Sequence, residues 1–252
     1  NLEGLRVLGD PMNFADLYYQ EGADEICYVD NVATLYGTNN LLKFVSRTAQ
    51  NIFVPLTVGG GIKSLSDIEN MLNSGADKVS INSAAVNNNK FIYSASRLFG
   101  SSTISVNIEF INFKGKTFIT TSNGRDIVFI DPVEWAKRVE SLGAGEICLT
   151  SVNYEGLQIG FDIKNIKKIS KNIKIPVLAH GGCGNSDHVL DLAESTNVSG
   201  VVIASYFHYN AVASLKKFKT KIGNTNYLDN LNYVKKQKNF IREIKTKLSK
   251  KG

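Results

Sequence analysis

The sequence predicts an α/β fold, a (β/α)8 TIM barrel with an internal half-barrel repeat, and three observations carry the prediction. Seven short apolar, β-branched runs alternate with amphipathic stretches of helical period, the pattern of parallel βα units. The chain matches itself at an offset of 121 residues. Its 252 residues, 43% hydrophobic and 21% charged with four prolines, suffice for one such barrel and exclude a disordered or low-complexity chain.

In chain order, helical spacing of apolar residues over Pro11 to Glu21 precedes the first strand, Glu25 to Asp30. Helix and strand then alternate. The helices are Asn40 to Gln50, Ser64 to Ser74, Lys90 to Phe99, Pro132 to Leu142, Asp162 to Lys171 and Ser186 to Ser195. The strands are Phe53 to Val58, Lys78 to Asn82, Thr103 to Glu109, Glu146 to Ser151, Ile175 to Ala179 and Gly200 to Ala204. Phe110 to Thr121 alternates apolar and polar residues around Lys114-Gly115-Lys116 and reads as a hairpin decorating a loop. Tyr233 to Leu248 places Val234, Phe240, Ile241, Ile244 and Leu248 on one helical face. Residues 1–210 thus read as the barrel domain, and 211–252 as a C-terminal helix and basic tail packed on it.

The repeat aligns Gly22-Ala23-Asp24-Glu25-Ile26-Cys27 with Gly143-Ala144-Gly145-Glu146-Ile147-Cys148, Asp10-Pro11 with Asp131-Pro132, and Gly60-Gly61 with Gly181-Gly182. The counterpart of strand Thr103 to Glu109 would precede residue 1. The expectation is therefore that the seven strands are strands 2 to 8 and that the first is absent from this sequence.

Barrel active sites lie at the C-terminal strand ends. Glu109 ends an otherwise apolar strand, where burial would raise its pKa and suit proton transfer, and Asp30 ends its strand similarly; these are the catalytic candidates. Gly60 and Gly61, and symmetrically Gly181 and Gly182, open helices in the manner of phosphate cradles. Each is followed one strand later by Asn82-Ser83 or Ala204-Ser205, which points to a ligand with two phosphates. His180 adjoins the second cradle within reach of such a ligand, whereas His188 and His208 read as structural. At the opposite strand ends Glu25, Lys78 and Glu146 predict a salt-bridged ring, either a plug or a gated passage.

The net charge of +6 sits in the tail. Eleven lysines and Arg242 against Asp229 and Glu243 give residues 211–252 a balance of +10, leaving 17 basic and 21 acidic residues, −4, in the first 210. With no recognition motif beside it, this charge does not make a nucleic-acid binder. No apolar run approaches the roughly 18 residues of a membrane span, and no signal segment opens the chain, so a cytoplasmic location is expected. Cys27, Cys148 and Cys183 form no CxxC pair, no histidines have metal-ligand spacing, and the cysteines read as small core residues, Cys183 at most lining the site.

Leu56-Thr57-Val58-Gly59-Gly60-Gly61-Ile62, Gly75 to Ala85, Glu134-Trp135-Ala136, Gly143 to Ile147 and Ala204-Ser205-Tyr206-Phe207-His208 closely resemble the cyclase subunit of imidazole glycerol phosphate synthase, the HisF family, over residues 1 to about 220. The resemblance implies a barrel that receives ammonia from a HisH-type glutaminase docked at its bottom, as a heterodimer. It implies passage of ammonia through the barrel to a bis-phosphorylated ribulosyl formimino aminoimidazole carboxamide ribonucleotide, without metal or organic cofactor. The products would be imidazole glycerol phosphate and aminoimidazole carboxamide ribonucleotide. By position Gly61, Asn82 and Ser83 would hold one phosphate and Gly182, Ala204 and Ser205 the other, with Gly60, Gly181, Glu155 and Gly156 completing the substrate site. Glu25, Lys78 and Glu146 match the ammonia gate, and Asp77 matches a residue facing the glutaminase.

The departures are as informative. Glu109 stands where the family has an aspartate, and a displacement of about 1 Å can cost roughly a hundredfold in rate. The family's Ser-x-Asp-Arg-Asp-Gly-Thr loop appears as Ser151-Val152-Asn153-Tyr154-Glu155-Gly156-Leu157. Two alternatives therefore stand beside the histidine-pathway cyclase: a paralogue channelling ammonia to another acceptor, such as a surface-polysaccharide sugar undergoing amidination, and a non-catalytic phosphate-binding subunit.

Overall fold

The computed structural model describes residues 8–30, 41–214 and 239–250. Seven parallel strands lie side by side in chain order: β1 (Ile26–Val29), β2 (Leu56–Gly59), β3 (Lys78–Ile81), β4 (Ile104–Phe113), β7 (Glu146–Ser151), β8 (Val177–His180) and β9 (Gly200–Val202). Helices follow them: α2 (Leu41–Ala49), α3 (Leu65–Asn73), α4 (Ser83–Asn87) and α5 (Lys90–Phe99), α6 (Pro132–Ser141), α7 (Ile163–Ser170), α8 (Ser186–Ser195) and α9 (Ser205–Ser214), with α1 (Pro11–Gln20) ahead of β1. This is the curled α/β sheet of a (β/α) barrel. Among the described residues β1 and β9 form its two edges.

The two halves start their helices alike. Asp10 accepts a hydrogen bond from the Met12 N–H and Asp131 from the Val133 N–H, with Pro11 and Pro132 each opening the helix, where a missing N–H costs nothing. The core lies between sheet and helices: Val58, Val79, Ile104, Val106, Ile147 and Leu149 face Val45, Ile68, Met71, Ile92 and Ile166, all fully buried. Alternation sends the intervening residues into the lumen.

One expectation is extended and one is corrected. Phe110 to Thr121 forms the expected hairpin, continuous with a barrel strand and enlarged by a third strand. β4 runs to Phe113, pairs antiparallel with β5 (Lys116–Thr121), and β5 pairs with a third strand, β6 (Asp126–Val128), too short for any alternation to reveal it. Cys27 is not a core residue; it is exposed, and Cys148 is half-buried, because both occupy lumen positions rather than the helix-facing side, while Cys183 is buried.

The tail helix is α10 (Phe240–Ser249), which buries Phe240, Ile241 and Ile244 against α8 and α9. Val234 and the first residues of the predicted helix lie outside the described residues. Arg242 donates to the Gln20 carbonyl and Lys245 to the Gly22 carbonyl and to Asp24, while Lys247 pairs with Asp187. The helix therefore joins α1 to α8 and spends its positive charge on the carbonyl end of α1 and on nearby acids. No helix among the described residues is long and apolar enough to cross a membrane.

Candidate functional site

At the N-terminal strand ends one ammonium bridges two carboxylates. Lys78 Nζ lies 2.7 Å from Glu25 and 3.0 Å from Glu146, and Glu25 also accepts from the Thr57 hydroxyl at 2.5 Å. Burial pulls the Lys78 ammonium down, but the hydrogen bonds to both glutamates outweigh it and hold its pKa above the usual lysine value. Asp77 is exposed beside them, and its carboxylate accepts from the Leu56 N–H at 2.8 Å. Phe53, 79% exposed, and Pro55 line a hollow on the same face with Asp77.

Above this clamp polar side chains enter the lumen beside Cys27 and Cys148. Alternation along the strands places Thr57, Ser80, Ser105, Asn107 and Thr150 inward, where barrels ordinarily pack branched apolar side chains. The Thr150 hydroxyl donates to Asn107 Oδ1 at 2.8 Å and sits 3.2 Å from His180 Nδ1.

Glu109 lies in the same row as Thr150, its register partner, and is 7% exposed. Its carboxyl is pushed up to about 7, chiefly by burial; the Gly124 N–H, donating at 2.9 Å, opposes the rise, the Glu155 charge adds to it and Asn82 opposes it. Gly124 belongs to the turn between β5 and β6, where Ser122, Asn123 and Gly124 all have positive φ; the Ser122 N–H donates to Ser83 Oγ at 3.1 Å. The hairpin tip thus touches both a predicted acid and a predicted phosphate ligand. Sequence reasoning passed it over because its contacts are made by backbone donors; the Ser-Asn-Gly turn was its only signal.

The glycine pairs repeat in space. A Cβ on Gly60 would lie 2.2 Å from the Asp30 carbonyl oxygen, and one on Gly181 would lie 2.9 Å from that of Ser151, the residue 121 positions after Asp30; φ is 98° and 96°. At both places only glycine allows the strand end to approach its neighbour. Glu155, Gly156, Gly181, Gly182, Ala204 and Ser205, all predicted from sequence, line one hollow together with His180 and Cys183. In the other half Asn82 and Ser83 begin α4 beside Glu109, and Asp30 ends β1 hydrogen-bonded through its N–H to the Gly59 carbonyl. His188 accepts the Gly184 N–H at Nδ1 and donates its own main-chain N–H to Asn185, the N-cap of α8, and His208 bonds Tyr18, so both are structural.

The family described as histidine biosynthesis protein matches residues 1–213. The chain is 44% identical over 227 residues to proteins named imidazole glycerol phosphate synthase subunit HisF in Bacillus cereus strains G9842, Q1 and ATCC 10987. In each case the match spans 90% of both chains.

Proposed function

Since the chain belongs to the histidine biosynthesis protein family as a HisF-like cyclase subunit, we propose that it takes ammonia through its lumen to a bis-phosphorylated ribulosyl substrate and closes an imidazole ring. The products are imidazole glycerol phosphate and aminoimidazole carboxamide ribonucleotide. The observation that carries this reading is the set of polar side chains on the lumen side of the strands, Thr57, Ser80, Asn107 and Thr150, between the Lys78 clamp and a Glu109 carboxyl raised to about 7.

Each part has a physical role. A HisH-type glutaminase docks over Asp77 and the Phe53 hollow, and the Glu25–Lys78–Glu146 clamp opens to admit ammonia. Gly60, Gly61, Asn82 and Ser83 hold one phosphate; Gly181, Gly182, Ala204 and Ser205, flanked by Glu155 and Gly156, hold the other. Backbone N–H groups suit both anions without bringing in a counter-charge that would hinder proton transfer. Glu109, able to give or take a proton near neutrality, is the acid–base group, with Asp30 the second carboxylate of the site.

The test is formation of the imidazole product from the bis-phosphorylated intermediate with ammonium salt, without glutaminase. Product from the wild type, lost in Glu109→Gln with substrate affinity retained, supports the reading. Binding without turnover makes the chain a non-catalytic subunit, and absence of binding transfers it to another ammonia acceptor.

A further inference from the structure

Ammonia addition to a carbonyl needs one group to protonate the oxygen and another to take a proton from the new ammonium nitrogen. We infer that His180 is that second proton-transfer residue, a neutral imidazole that offers a bare Nε2 to the hollow it shares with Glu155 and Ser205.

The strand register sets the arrangement. Glu109 pairs with Thr150 and Thr150 with His180, so three adjacent parallel strands bring them into one lumen-facing row. Hydrogen-bond accounting then fixes the proton. Thr150 has one O–H and donates it to Asn107 Oδ1 at 2.8 Å; Cys148, kept a thiol by burial, also bonds this hydroxyl and can offer it an S–H. Its oxygen, 3.2 Å from His180 Nδ1, is left as the acceptor, so Nδ1 carries the hydrogen and Nε2 the lone pair.

The other two histidines of the chain differ. His208 Nδ1 is committed to the Tyr18 hydroxyl at 2.6 Å, and His188 uses Nδ1 on the Gly184 N–H and Nε2 on Asn185. Among the described residues only His180 keeps a ring nitrogen with no partner while lining the hollow. The titratable groups around it are Glu155 from the β7–α7 loop, the Cys183 thiol from the β8–α8 loop and His208 from α9. Burial keeps its pKa below the ordinary histidine value; the Glu155 carboxylate opposes that shift and would steady the imidazolium once formed.

The inference rests on the cyclase reading, and its steps balance. The ammonia lone pair forms the C–N bond, the carbonyl π pair moves to oxygen and takes the Glu109 proton, and the nitrogen passes a proton to His180 Nε2. The imidazolium then protonates the hydroxyl, which leaves as water, and the nitrogen returns a proton to Glu109. Ketone and ammonia have become imine and water, and both residues are reset.

Two measurements test it. Nitrogen-15 NMR of the unliganded wild type should find the Nδ1–H tautomer at pH 7.5 with a pKa below 6.5, and Thr150→Val should lose that tautomer preference. In the ammonium assay His180→Gln should lower kcat by about 10²- to 10³-fold with KM little changed, and should abolish the acid limb of the pH profile. An Nε2–H tautomer or an imidazolium at pH 7.5 overturns the inference whether or not the wild type cyclises anything. An active wild type matched by His180→Gln overturns it too; an inactive wild type sinks the cyclase reading alone, and the NMR result still decides the protonation state of His180.

Discussion

Replacing Glu109 by Gln changes stability as well as activity, and the pH at which it does so follows from the site. The carboxyl is raised from 4.5 to about 7 on folding, because its burial above the lumen disfavours the charged form more than the Gly124 N–H favours it. A raised folded-state pKa means that the native chain holds the proton more tightly. The stabilisation is fully present below pH 4.5 and is lost as pH rises through 7. The difference of roughly 2.5 pH units corresponds to about 3 kcal/mol of native-state penalty at high pH. Gln carries no charge and can still accept from Gly124, so Glu109→Gln should match the wild type at pH 4 and exceed it by about 3 kcal/mol at pH 8.5. Urea unfolding at both pH values, with the slope checked for constancy, reads this directly. A gain independent of pH, or a loss at pH 8.5, would refute the claim that burial controls this carboxyl.

Lys78→Met leaves Glu25 and Glu146 facing one another without their shared cation; because the clamp is partly open to water, the cost should be about 1–2 kcal/mol at pH 7 and should vanish near pH 4 in the same assay. Gly60→Ala forces a Cβ to within 2.2 Å of the Asp30 carbonyl and should cost about 2–4 kcal/mol, whereas Gly22→Ala, with φ of 90° and nothing within 4 Å, should cost only about 1 kcal/mol; equal losses would show that backbone conformation alone is responsible. Ile244→Ala empties a buried position in α10 and should lower stability by about 2–4 kcal/mol, seen as a fall in Tm of about 5–10 °C in a chain of this size.

Much of the scaffold was legible because the repeat reports on backbone geometry. Asp10-Pro11 and Asp131-Pro132 became matching helix caps, and Gly60 and Gly181 became matching close approaches, since these features depend on residues adjacent in sequence. What escaped depends on partners far along the chain. The free nitrogen of His180 is fixed by Thr150 and Asn107 on two other strands, and the support of Glu109 comes from a main-chain N–H that no side-chain pattern records. The side to which Cys27 points is not legible for a further reason: Ile26-Cys27-Tyr28-Val29 is apolar on both sides, so nothing in it distinguishes the lumen from the helix layer.

The hydroxyl-lined interior has an evolutionary corollary. The packing that keeps the chain folded lies between the sheet and its helices, and Thr57, Ser80 and Ser105 add little apolar burial to it. An exchange such as Ser80→Ala can therefore alter the width and wetness of the lumen at small thermodynamic cost, whereas Thr57→Val would also remove the hydrogen bond to Glu25. The lining of the lumen and the packing of the fold are written in alternate residues of the same strands, so selection can adjust one and leave the other in place.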